Sequence, residues 1–169
     1  MQAGLTAPQK RVYDLVIPME QVLFRTLVAC NALAAMTGSA GAQAADEALW
    51  ARLHSIESAF VQGDASSLRS SFSSTGKLRV DLKDLSDGQA SYAPGQLQVI
   101  FGQIFQEQKT REMVFDRSDL TRSPSGTAFA RGRWVRRPQH GGGETVDRLT
   151  FTLREERGDW RILEIRSSR

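Results

Sequence analysis

Gly126-Thr127-Ala128-Phe129-Ala130-Arg131-Gly132-Arg133-Trp134-Val135-Arg136-Arg137 opens a run of three segments that continues with Glu144 to Arg154 and Asp159 to Ser167. Inside it, Arg131-Gly132-Arg133-Trp134-Val135 and Leu149-Thr150-Phe151-Thr152-Leu153 alternate with period two, as strands do when one face lies in a core. Arg157-Gly158-Asp159 makes the turn between the last two segments. The link Pro138-Gln139-His140-Gly141-Gly142-Gly143 is too glycine-rich for regular structure and too short for a crossover helix, so its flanking strands are expected to pair antiparallel. The chain therefore ends in a three-stranded meander.

Working back from there, Glu112-Met113-Val114-Phe115-Asp116-Arg117-Ser118-Asp119-Leu120 alternates as another strand, turned into the meander by Ser123-Pro124-Ser125-Gly126. Before it, Pro94 stands at a helix start, where its missing N–H costs nothing. Leu97, Ile100, Phe101, Ile104 and Phe105 follow as one apolar stripe, and this helix is expected to be the main core contact to the sheet. Gln89-Ala90-Ser91-Tyr92 reads as a brief edge strand, preceded by a turn over Asp84 to Gly88 that contains Asp87-Gly88. Leu78, Val80 and Leu82 alternate with Lys77, Arg79 and Asp81 in a first strand. Upstream, Leu49, Leu53, Ile56 and Phe60 recur at helical spacing from Asp46 to Gln62. Gly63 closes that helix and Asp64 caps a short second one, Ala65 to Phe72. Helices first and strands afterwards predict an α+β domain, a curved mixed but mostly antiparallel sheet with the N-terminal helices on one face.

The beginning of the 169-residue chain is of another kind. Thr26 to Met36 is a short apolar run with Arg25 before it and small residues after it, and Ala42-Gln43-Ala44 fits the small-x-small rule for cleavage before Ala45. This is the layout of a secretory signal, with Met19 as the expected start and residues 1–44 as leader. Eleven residues are too few to span a bilayer, so the expectation is export to the periplasm or medium without a transmembrane segment. Leu27-Val28-Ala29-Cys30 matches a lipobox, but almost no apolar run precedes it after Arg25, which argues against lipidation at Cys30. Cys30 is the only cysteine, so residues 45–169 hold no disulfide, thiolate nucleophile or thiolate metal ligand. From Ala45 on, nineteen Lys plus Arg face seventeen Asp plus Glu. That balance gives no argument for nucleic acid.

The order of elements, the junction Phe60-Val61-Gln62-Gly63-Asp64-Ala65-Ser66-Ser67-Leu68, and an ending in Leu149-Thr150-Phe151-Thr152-Leu153-Arg154 and Gly158-Asp159-Trp160-Arg161-Ile162-Leu163-Glu164-Ile165-Arg166 resemble the nuclear transport factor 2-like superfamily, which includes SnoaL-like and ketosteroid-isomerase-like branches. The likeness covers Ala45 to Ser167. It implies a cone with a pocket between helices and sheet, in which Tyr92, Phe101, Phe105 and Trp134 are the ligand-binding candidates, and often a homodimer through the sheet's outer face. It implies no single chemistry, because the superfamily holds isomerases, dehydratases, cyclases and non-catalytic binding modules.

A ketosteroid-isomerase-like reaction needs a carboxylate base and an acidic donor. Asp81 or Asp116 with Tyr92 are the candidates, although Asp81 falls on the face opposite Leu78 and Val80. His54 on the first helix and His140 in the glycine-rich link do not make a dyad or a metal site, and no cofactor motif is present: Gly141-Gly142-Gly143 is followed by no helix bearing a lysine. Arginine supplies sixteen of the nineteen cations after Ala45. Arg131, Arg133 and Arg137 share a face with Phe129 and Val135, opposite Trp134 and Arg136, and Arg148 and Arg154 fall on the matching face of the next strand. This is a face for an anionic ligand or partner, or a solvated surface balanced by Glu144, Asp147, Glu155 and Glu164. Trp134 and Trp160 are assigned to the packed side of the sheet or a dimer face. The sequence thus favours a non-catalytic exported domain that binds a small apolar ligand or a protein partner, with an isomerase or dehydratase acting on a hydrophobic substrate as the alternative.

Overall fold

A computed structural model describes residues 43–83, 85 and 88–168. Leader residues 1–42, Cys30 among them, and most of the turn over Asp84 to Gly88 lie outside the described residues, whereas the expected cleavage point between Ala44 and Ala45 falls at the start of the first helix. Three helices are described, α1 over residues 43–62, α2 Ala65–Ser70 and α3 Pro94–Glu107. The strands are β1 Leu78–Asp81, β2 Ala90–Tyr92, β3 Gln108–Arg122, β4 Thr127–Pro138, β5 Thr145–Glu156 and β6 Asp159–Ser168. They form one sheet in the order β2-β1-β6-β5-β4-β3. Only β1 and β6 pair parallel, and every other neighbour is antiparallel. The α+β mixed sheet and its closing meander are as expected, and the short segment before Pro94 is an edge strand on β1.

The junction of α1 and α2 is fixed by two adjacent residues. Gly63 adopts a left-handed φ of 66°, and its N–H and that of Asp64 reach back to the Phe60 and Ala59 carbonyls at 3.2 and 2.9 Å, which satisfies the last turn of α1. Asp64 then caps α2, accepting from the Ser66 and Ser67 N–H groups at 2.9 and 3.0 Å. A Cβ at Gly63 would sit 3.4 Å from that of Phe105, so this turn is also where α1 meets α3. At its start α3 has Pro94, and the Gln96 side chain accepts from the Ala93 N–H at 2.9 Å.

Leu49, Leu53, Ile56 and Phe60 of α1 are fully buried. The ring of Phe60 is the hub of the core, with centroids 5.3 Å from Trp134, 5.5 Å from Phe105, 5.7 Å from Phe101 and 6.1 Å from Phe151. The ring contacts from helix to sheet run through α1, and Phe101 and Phe105 close on Phe60 from the other side. A buried aromatic at such a node joins elements by edge-to-face contacts as well as by burial.

Strand β3 departs from the simple alternation read in its sequence. It follows α3 directly at Gln108 and carries two irregularities, one between Thr110 and Glu112 and one between Phe115 and Leu120. Thr110, Met113 and Phe115 face inward and are buried, but the extra residue after Thr110 breaks their spacing. At the second irregularity Phe115 lies opposite Gly132 and Leu120 opposite Ala130, which leaves Asp116 to Asp119 facing Arg131 alone. Such a bulge bends its strand and re-aims side chains.

Candidate functional site

The sheet separates the candidate residues by face. Its inner face packs on the helices. On its outer face, register aligns side chains in rows, because residues opposite each other in a ladder share a face. Asp81, Arg166, Thr150 and Arg131 form one row across β1, β6, β5 and β4. To one side of it lie Arg79, Glu164, Thr152, Phe129 and Thr121, and to the other Arg148, Arg133 and Val114.

A concavity of about 690 Å³ opens over these rows. Strand β3 contributes Ser118, Asp119 and Thr121, β4 contributes Phe129 and Arg131, β5 contributes Arg148 and Thr150, and β6 contributes Arg166. An adjoining hollow of about 490 Å³ shares Asp119, Arg131 and Arg148 and reaches Glu112, Val114, Asp116 and Arg133. The β3 bulge brings Asp116, Ser118 and Asp119 to the side of the groove near Arg131, while Arg117 packs over the Trp50 ring of α1. Within the groove Arg131 makes no ion pair with any described residue. Arg166 approaches Glu164 at 3.6 Å, beyond hydrogen-bond range, and the same Glu164 oxygen is 3.8 Å from Arg79, so one carboxylate serves two guanidinium groups.

Three members of the expected arginine face stand apart, among them Arg154, which is bonded to Glu156 and lines neither hollow. Arg133 is paired with Glu112. Arg137 lies opposite Lys109 and lines neither hollow. Arg166, Thr150, Ser118, Asp119 and Thr121 join the groove without having been singled out in the sequence. For Arg166 the cause is a bulge: by strict alternation from the buried Trp160 and Ile162 it would face inward. The register shift between Thr152 and Leu153 instead buries Ile165 and exposes Arg166.

The acid–base candidates do not converge. Asp81 lies on the outer face with Arg79, whereas Tyr92, opposite the buried Leu78, lies on the inner face. Asp116 accepts from the Ser118 N–H at 2.9 Å and the Ser118 hydroxyl at 2.8 Å. Those bonds, the backbone one foremost, hold its carboxyl below the usual carboxylate range, which weakens it as a base. His54 is exposed and 2.7 Å from Glu57, and His140 is exposed in the β4–β5 link. Among the described residues no group of three or more His, Cys, Asp and Glu is placed to hold a metal ion.

The ligand candidates of the interior are packed side chains. Phe101 and Trp134 are fully buried, Phe105 nearly so, and all three touch the Phe60 ring. Tyr92 is half-buried against this core. The Trp134 Nε1–H donates to Thr110 Oγ1 at 3.0 Å. Beside it Arg136, 6% exposed, donates from Nε to Asp147 at 2.7 Å and from a terminal nitrogen to Gln108 at 3.2 Å. Its guanidinium lies 5.3 Å from the Trp134 ring centre. Asp147, expected among the outer-face partners of the arginines, is therefore an inner-face residue, opposite Trp134.

At the other end of the sheet one carboxylate ties the loop after α2 to the β5–β6 turn, and a second ties α1 to it. Glu156 accepts from Ser73 Oγ at 2.6 Å and Arg154 at 3.1 Å. Burial pushes its carboxyl up, but the hydrogen bonds from Ser73, Arg154 and Thr75 outweigh that and hold it below the ordinary range. Asp159 accepts two bonds from Arg52, at 2.5 and 2.6 Å, and also pairs with Arg161 at 2.8 Å. There too burial opposes ionisation, and the bond and charge of Arg52, with the charge of Arg161, leave the carboxyl lowered.

No protein-family model matches the sequence, and no curated protein matches it. Solved structures do resemble it. An NTF-2 like protein of unknown function from Shewanella oneidensis superposes with a TM-score of 0.56 at 15% identity, over 73% of this chain and 98% of that one. A candidate dehydratase of the NTF2-like family from Streptomyces avermitilis gives 0.55 at 15% identity, over 72% and 93%. A DUF4783 family protein from Bacteroides ovatus gives 0.53 at 13% identity, over 67% and 90%. Identities this low speak for the fold alone.

Proposed function

We propose that this chain, which has the nuclear transport factor 2-like fold, is an exported binding module that works from the groove on its outer sheet face and carries out no reaction. The observation behind this reading is the division of chemistry between the faces. The inner space is occupied by interlocked rings around Phe60, while the open hollow gathers Arg131, Arg148, Arg166 and three hydroxyl side chains beside Phe129. Ligand sites are concave and combine apolar surface with a few polar groups, and the outer groove fits that description better than the filled interior. The isomerase or dehydratase reading is less well supported, because its base and donor candidates lie on opposite faces.

Export rests on the leader pattern before Ala45. No helix among the described residues is long and apolar enough to cross a membrane. One experiment addresses export and binding together. The chain is produced in an exporting bacterial host, and the exported material is analysed by native mass spectrometry as wild type and as Arg131→Glu. A protein mass equal to residues 45–169, carrying an adduct that the substitution removes, supports both parts. A mass that retains the leader counts against export. An adduct that survives Arg131→Glu, or no adduct at all, counts against the groove as a loaded site.

A further inference from the structure

We infer that the groove takes a compact amphipathic organic anion, its carboxylate or phosphate head held among Arg131, Arg148 and Arg166 and its apolar part laid on Phe129; this rests on the outer-groove reading above. The charge balance points to an anion. Of the side chains that line the larger hollow, three are arginines and one, Asp119, is acidic. The carboxylate nearest Arg166 is Glu164, which is shared with Arg79 at non-hydrogen-bonding distances, and Arg131 has no ion pair among the described residues. An arginine fork left without a carboxylate beside hydroxyl donors is suited to an oxyanion, which it binds through two parallel N–H bonds. Thr150 lies between Arg131 and Arg166 in the register, so its hydroxyl stands between the two cationic neighbours.

The apolar part follows from Phe129. It is 42% exposed and lies one row from the arginines, opposite Thr121 on β3 and Thr152 on β5. A large aromatic left open at the floor of a hollow is a surface for an apolar body. Size follows from the walls. Asp119 and Asp116 stand on the β3 side and Glu112 at the far end, so carboxylates border the three arginines on these sides. An extended polyanion would have to run its charges past those carboxylates, whereas a single head group avoids them. The hollow, at about 690 Å³, is within the usual range for small-molecule sites.

The test is calorimetric titration of the exported chain with octanoate, octyl phosphate, inorganic phosphate and heparin. Saturable binding of octanoate or octyl phosphate is expected, and whichever of the two binds more tightly identifies the head group. Arg131→Ala should weaken it about tenfold, the loss of a charge-assisted bond. Arg137→Ala, on the same face but outside the groove, should leave it within about twofold. Phe129→Ala should weaken the octyl compounds and leave inorganic phosphate unchanged. The proposal is overturned if neither octyl compound saturates, if Arg137→Ala weakens binding as much as Arg131→Ala, or if heparin binds more tightly than both with an affinity that Arg137→Ala also lowers. Failure here is separable from failure of the groove itself. If the octyl compounds do not bind but the native adduct is still lost on Arg131→Glu, the ligand class is wrong and the groove stands.

Discussion

Replacing Asp147 by alanine should be among the most destabilising single changes on the sheet, for a reason that no count of apolar contacts would supply. Arg136 is nearly buried, its side chain 7% exposed, and that of Asp147 is 16% exposed. The guanidinium is held by one charged bond of 2.7 Å to Asp147, one neutral bond of 3.2 Å to Gln108, and the face of Trp134. Removing the carboxylate leaves a buried cation with only the last two. Breaking a buried pair from one side typically costs about 3–5 kcal/mol, and the partial exposure of Asp147 places this pair at the lower end, about 3 kcal/mol. For a domain of this size that corresponds to a fall in Tm of roughly 9–15 °C. Asp147→Asn, which keeps a hydrogen-bond acceptor and loses the charge, should cost about 1–2 kcal/mol. The double replacement Arg136→Met with Asp147→Leu should return to within about 1 kcal/mol of wild type, because it removes the charge with its partner. Urea unfolding followed by tryptophan fluorescence measures all three, and Trp134 reports from beside the pair. The reasoning fails if Asp147→Ala stays within 1 kcal/mol of wild type, or if the double variant is as unstable as the single one.

Other consequences are independent of that pair. Gly132→Ala would drive a Cβ into the Met113 methyl and to 2.9 Å from the Phe115 ring; overpacking of this kind costs about 1–3 kcal/mol, and a thermal melt unchanged from wild type would contradict it. Phe60→Ala empties the hub of the ring cluster and should cost about 3–5 kcal/mol, seen as a lower urea midpoint, with an unshifted midpoint as the contrary result. The lowered carboxyls of Glu156 and Asp159 make the folded state bind protons less readily than the unfolded chain, so their contribution is complete above the ordinary carboxylate range near pH 4 and is lost as pH falls through the folded values. Urea midpoints should therefore drop in acid, and Glu156→Gln should flatten that drop; an identical acid slope in the variant would remove Glu156 from the explanation.

Periodicity carried most of the architecture. The stripe Leu49, Leu53, Ile56 and Phe60 and the Gly63-Asp64 junction were legible because each depends on local chemistry: helical spacing, a left-handed glycine and a capping aspartate. Alternation likewise revealed β4 and β5 and the opposition of Arg131 to Trp134. What alternation could not supply was register. The bulge in β6 reverses the parity between Ile162 and Ile165, which concealed Arg166 as a member of the groove. The two irregularities of β3 hid its start at Gln108 and the placing of Asp116, Ser118 and Asp119 beside the groove. Asp147 was misplaced for a related reason, since a glycine-rich link as long as Pro138 to Gly143 does not fix which residue of β5 meets Trp134. Function was less legible still: the outer groove is assembled from β3, β4, β5 and β6, and no single stretch of sequence contains it.

The account turns on which face of the sheet meets a ligand. Amide and side-chain chemical-shift mapping of the exported chain during titration with octanoate distinguishes the faces directly. The account predicts saturable shifts centred on Ser118, Thr121, Phe129, Arg131 and Thr150. Shifts centred instead on Tyr92, Phe101, Phe105 and Trp134 would contradict it and place the ligand between the helices and the sheet.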